Sequence, residues 1–142
     1  MKKVISVSAL VLIMVSLLSF SASCQKAKAT KTSVAKSAKV EVYYFHFTRR
    51  CATCQAVETE SQKAIVALYP VQAKKMLITF KSVNLDMKGT EELAKRCDVS
   101  GQTLVVMGAG KHIDLTEKGF MYALNSPEKL KAELKKAIDP LL

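Results

Sequence analysis

From Val40 to Phe47 the chain reads VEVYYFHF, dense in β-branched and aromatic residues, with Glu41 its one acid. A run this apolar predicts a central strand covered on both faces. From Cys51 the period turns helical. Cys54, Val57, Ser61, Ala64, Ile65 and Leu68 fall on one stripe, with Glu58, Glu60, Gln62 and Lys63 off it. Tyr69-Pro70 ends that helix, because the residue before proline is pushed away from helical geometry. Met76 to Leu85 predicts a second strand, followed by a turn at Asp86 to Gly89. Thr90 is placed to cap a short helix whose first turn carries Glu91 and Glu92, with Leu93 and Cys97 on its inner face. Thr103 to Met107 predicts a third strand, and Gly108-Ala109-Gly110 a tight hairpin into a fourth near His112 to Leu115. Ser126 is placed to cap a last helix with Pro127 at its first position and Leu130, Leu134, Ala137 and Ile138 as its apolar stripe. The predicted order is β-α-β-α-β-β-α, an α/β domain over residues 40–142.

Two segments of different character precede that domain. Residues 1–23 predict an export signal: Lys2 and Lys3, then an apolar run from Val4 to Phe20, then small residues at Ser21-Ala22-Ser23. Cys24 after Ala-Ser resembles the lipidated cysteine of a bacterial lipoprotein signal, although Ser21 stands where such signals usually carry Leu. Residues 24–39 predict a flexible, lysine-rich linker with no acid and almost nothing bulky to bury. These segments hold most of the formal net charge of +10: Lys2, Lys3, Lys26, Lys28, Lys31, Lys36 and Lys39 leave only +3 on the domain. That balance, with no basic patch carrying aromatic platforms, argues against a nucleic-acid partner. A membrane surface, met through lipid on Cys24 or through the basic linker, is the expected neighbour. The expected location is the periplasm, either free or membrane-anchored and facing it.

The chemistry concentrates in Phe45 to Gln55, FHFTRRCATCQ. Cys51 and Cys54 stand three positions apart where a helix begins, within bonding reach of each other. Unpaired backbone N–H groups and the helix dipole favour a thiolate on the first sulfur, and Arg49 and Arg50 add positive charge beside it. Cys51 at the exposed tip is the expected attacking thiol, and Cys54 on the buried stripe the resolving one. Three uses of the pair stay open at this point: redox exchange, an inert structural disulfide, or part of a metal site. Structural zinc wants four ligands, usually in paired motifs, and no second pair exists, so no metal site is assigned. Cys97 is a candidate third thiol, which with the pair would make a trigonal site for a soft ion such as arsenite or Cu(I), and is otherwise a small core residue. His46 is a candidate for tuning the thiolate or moving its proton.

The element order with CxxC between the first strand and first helix resembles the thioredoxin-like superfamily. So do Val83-Asn84-Leu85-Asp86, Glu92-Leu93-Ala94-Lys95-Arg96, Val99 and Thr103-Leu104-Val105-Val106. Within it the chain is similar to small exported bacterial proteins, some labelled nitrophorin-like. That label implies haem, but the two histidines lie in different predicted strands and no CxxCH occurs, so no cofactor is expected. The resemblance implies a central four-stranded mixed sheet and thiol–disulfide oxidoreductase or electron-relay activity. It implies a partner redox protein, a membrane electron donor as a further candidate, and a substrate groove at Gln102 and Thr103. The superfamily normally places a cis-proline just before Thr103; Gln102 stands there. Some members keep a buried carboxylate six residues before the first cysteine; Phe45 stands there. The alternative function is a thiol-binding protein for arsenite or copper.

Overall fold

The computed structural model describes residues 39–142. The leader read over residues 1–23, Cys24 and all of the linker but Lys39 lie outside the described residues.

The first strand, β1, runs Val40–His46 with nearly every side chain buried. It is followed by a long helix, α1 (Ala52–Leu68), and a one-turn helix, α2 (Pro70–Lys74). Then come strand β2 (Ile78–Asn84), helix α3 (Glu91–Arg96), and strands β3 (Thr103–Gly108) and β4 (Lys111–Asp114). Helices α4 (Thr116–Tyr122) and α5 (Pro127–Ile138) follow, with a closing 3-10 turn, Asp139–Leu141. The sheet order is β2-β1-β3-β4. β1 pairs parallel with β2, from Val40 opposite Ile78 to His46 opposite Asn84, and antiparallel with β3, with Tyr44 opposite Leu104. β3 and β4 close an antiparallel hairpin in which Gly108 faces Lys111. The four-stranded mixed sheet is the one expected from the sequence.

Alternation along β1 sorts the core into two. Val40, Val42 and Tyr44 meet Val57, Ala64 and Ile65 of α1 and Leu130, Leu134, Ala137 and Ile138 of α5. Tyr43 and Phe45 point the other way, onto Val83, Ala94, Cys97 and Val105. α1 and α5 therefore share one face of the sheet, and the shorter α3 covers the other. The predicted stripe of α1 is buried at Cys54, Val57, Ser61, Ala64 and Ile65. Tyr69 at the end of α1 donates its hydroxyl to Asp139 Oδ1 at 2.6 Å, which fastens the ends of α1 and α5 together.

Several details depart from the sequence reading. Pro70 restarts a helix as its first residue rather than only ending one, and Met76 takes φ 56°, so β2 begins at Ile78 instead of Met76. α4 carries no predicted element. It is seven residues long with Gly119 in its middle, and that glycine lies against the core: a Cβ there would stand 3.2 Å from Leu104 Cδ2 and 3.3 Å from Val57 Cγ1. Neither expected cap bonds as a cap. Ser126 offers no side-chain bond to α5, and the Thr90 hydroxyl donates to Met87 O at 2.8 Å instead. The hairpin turn is as expected, with Ala109 at φ 48° and Gly110 at φ 72°, the left-handed pair that joins two twisted antiparallel strands. Among the described residues no helix is long and apolar enough to cross a membrane.

Leu134 is wholly buried between α5 and the sheet. Leu134→Ala is expected to lower unfolding free energy by about 2–5 kcal/mol, read as an earlier midpoint in urea with an unchanged slope.

Candidate functional site

Five residues carry the chain from the end of β1 into α1. Three hydrogen bonds hold this turn against the end of β2. Leu85 N donates to His46 O at 2.7 Å, Thr48 N to Asp86 Oδ2 at 2.7 Å, and Asn84 Nδ2 to Thr48 Oγ1 at 3.0 Å. The backbone bond from Thr48 holds the Asp86 carboxyl below its ordinary range. The turn delivers Cys51 to the N-cap of α1 in extended geometry, φ −81° and ψ 170°.

At that cap the Cys51 sulfur accepts a hydrogen bond from Cys54 N at 3.2 Å. The sulfur thus takes the place of the oxygen that usually satisfies a free N–H at a helix start. Cys51 is exposed and Cys54 only 3 % exposed. The two are joined as a disulfide, their Cα atoms 5.2 Å apart. The first turn of α1 carries no acid, so nothing there opposes negative charge on Cys51. When the pair is reduced, the N–H and the helix dipole both favour a thiolate on Cys51.

The two arginines divide in role. Arg50 forms an ion pair with Glu58, so its charge reaches the sulfur already partly balanced. Arg49 is exposed and makes no ion pair among the described residues. Of the two expected positive charges, Arg50's is thus shared with Glu58. Glu58 lies off the apolar stripe, and only the folded turn brings Arg50 back to it.

Gln102, from the loop before β3, reaches the pair: its Oε1 lies 3.4 Å from Cys54 Sγ. Every peptide bond among the described residues is trans. Thr103, the first residue of β3, donates its hydroxyl back to Gly101 O at 3.1 Å in the preceding loop. His46 is buried, its Nδ1 donating to Phe47 O at 2.8 Å, its ring 5.8 Å from that of Tyr44. His112 lies exposed on β4, opposite Met107.

Counting back six residues from Cys51 leads to Phe45, but strand alternation turns Phe45 to the other face. The β1 aromatic packed on the α1 side is Tyr44, a residue the sequence reading passed over. Its hydroxyl is buried without a hydrogen-bond partner, and burial pushes its pKa up, against an opposing pull from Arg50. The signal available was period 2 along the strand, which outranks a fixed count back from the cysteine.

Cys97 is not brought to the pair. It is 0 % exposed, packed with Tyr43, Phe45 and Val105 on the face of the sheet opposite α1. Burial pushes its thiol pKa up, partly offset by Arg96. The three-thiol arrangement for a soft ion is therefore not formed. Among the described residues no three or more His, Cys, Asp or Glu side chains gather as a metal site.

No protein-family model matches the chain, and no curated protein matches it. Among solved structures it is similar to the oxidized form of mitochondrial thioredoxin 3 from Saccharomyces cerevisiae, at 21% identity and a TM-score of 0.43, covering 70% of this chain and 79% of that one.

Two outcomes are expected from this geometry. Because the Asp86 carboxyl is held below its ordinary range, its bond to Thr48 is present above the unfolded carboxylate pKa and is lost as pH falls through the lower folded value. The protection factor of the Thr48 amide should therefore hold down through the ordinary carboxylate range and fall only below it, and Asp86→Asn should abolish that acid loss of protection. Glu58→Gln leaves Arg50 unbalanced, and the reduced chain should be alkylated at Cys51 about two- to threefold faster at pH 6, as a partly exposed charge contact allows.

Proposed function

We propose that the domain performs thiol–disulfide exchange with a partner redox protein. The observation that carries this reading is the pairing of an exposed cap cysteine, its sulfur accepting from Cys54 N, with a buried second cysteine one turn on. In the reducing direction the Cys51 thiolate attacks one sulfur of the partner's disulfide, and the other partner sulfur leaves as a thiolate. Cys54 then gives up its proton and attacks Cys51 Sγ in the mixed disulfide. The Cys51–Cys54 bond forms, the bond to the partner breaks, and two electrons have passed to the partner. The oxidising direction reverses each step. The trans loop at Gln102 supports a particular redox protein as partner over unfolded chains in general.

The setting is the compartment outside the cytoplasm of a bacterium, where an unattended pair stays oxidised. The apolar run from Val4 to Phe20, the small residues before Cys24 and the lysine-rich linker support that location. They also support a tether to the membrane surface, within reach of an electron donor there.

A redox titration of the full chain against thiol buffers, with free thiols counted by mass-tagging, tests the reading. One pair is expected to open reversibly between about −270 and −180 mV. A pair that stays closed well below about −300 mV is structural, and the reading fails. Cys51→Ser should abolish exchange, and Cys54→Ser should accumulate mixed disulfides with the partner. Full exchange by Cys51→Ser would also end the idea.

A further inference from the structure

The Gln102 carboxamide oxygen, 3.4 Å from Cys54 Sγ, is a hydrogen-bond acceptor placed on the buried sulfur of the pair. A disulfide sulfur carries no hydrogen and has nothing to donate to it. A thiol does. The contact becomes a hydrogen bond in one redox state only. Cys54 is almost wholly out of water, so solvent offers its S–H little competition for that acceptor.

The two sulfurs are therefore treated oppositely by their surroundings. Cys51 Sγ receives a donor, the Cys54 N–H, which suits a thiolate. Cys54 Sγ meets an acceptor, which suits a thiol. We infer that Gln102 is a positioning residue that keeps Cys54 protonated in the reduced pair and so biases the equilibrium toward the dithiol. The inference rests on the exchange reading and adds to it what sets the poise of that site. A proline ring in this place would have neither donor nor acceptor, so the residue that departs from the resembled pattern supplies a contact that the pattern lacks. The amide cannot itself take the proton. When Cys54 attacks Cys51 Sγ, its proton goes to water or to the departing partner thiolate.

The test uses the full chain, equilibrated with glutathione. Protein dithiol and glutathione disulfide give protein disulfide and two glutathione thiols, so two electrons and both thiol hydrogens are accounted for. Gln102→Met keeps length and loses the acceptor. Gln102→Glu keeps the acceptor and adds charge that disfavours a Cys54 thiolate. Q102M is expected to move the equilibrium toward the disulfide about fivefold, the weight of one ordinary hydrogen bond. At 29.6 mV per tenfold that is a midpoint about 20 mV more negative. Q102E is expected to move it the other way, a split that a merely structural role would not produce.

A Q102M midpoint equal to the wild type, or both variants moving in one direction, overturns the inference while leaving exchange intact. A wild-type pair that never opens overturns the exchange reading and this inference with it. Should Q102M fail to fold, Q102E decides, and an unmoved or more negative midpoint there overturns the assignment.

Discussion

Everything at the site depends on the commitment of β1. Its two neighbours, β2 and β3, take its backbone groups on both edges, and its side chains are buried on both faces. A strand engaged on four sides cannot slip in register without carrying its core residues to the wrong face. Its end at His46 is therefore a fixed point. The apolar stripe of α1 must come back over Val42 and Tyr44, so the chain has to reverse at once. Cys51 is where the reversal becomes a helix. The rigid parts rest on burial worth about 1.5–3 kcal/mol for each large apolar side chain, whereas the turn itself rests on hydrogen bonds worth about 1 kcal/mol each. The scaffold is stiff and the five residues carrying the cap are held by fewer contacts, which suits the attack and release of a sulfur in the proposed exchange.

The second consequence is an asymmetry between two chemically identical groups. Cys51 is the last residue outside the helix and Cys54 the first one on its buried stripe. One sulfur faces water and accepts from a backbone N–H; the other faces the core and an amide oxygen. The charge near them is modest. Arg50 is balanced by Glu58, no acid stands in the first turn of α1, and Arg49 is exposed. Differences in donor, acceptor and burial, more than net charge, separate the two thiols.

These arrangements were legible in the sequence to different degrees. β1 and the stripes of α1 and α5 could be read because each is a long periodic run whose burial follows from its own pattern. The pair could be read because both cysteines sit on one helical turn. α4 could not, because it is held by the close approach of Gly119 to Leu104 and Val57, a tertiary fact in a segment too short to show a period. The Arg50–Glu58 pair and the Gln102 contact join residues 8 and 48 positions apart, and neither partner advertises the other. Cys97 follows α3 as its C-terminal cap, with its side chain buried. Which face of the sheet that helix covers is decided by the crossover between β2 and β3, and it put Cys97 beyond the sheet from the pair.

That separation shapes the chemistry in turn. On its own face Cys97 lies beneath a polar cluster in which Arg96 donates to the Tyr43 hydroxyl at 2.8 Å and stands 3.6 Å from Glu41. Burial and Glu41 push the Tyr43 phenol up to about 12, so it stays protonated alongside a thiol whose own pKa is raised. A buried, protonated thiol behind a sheet is not placed to attack a mixed disulfide that the proposed exchange would form on Cys51. In the proposed exchange, resolution falls to Cys54 alone, since Cys54 is too deeply buried to meet a partner's sulfur directly. The one sulfur within its reach is Cys51 Sγ. On that proposal burial does for the second step what exposure does for the first: each thiol is left with a single available target, and the order of attack and resolution follows from depth in the fold.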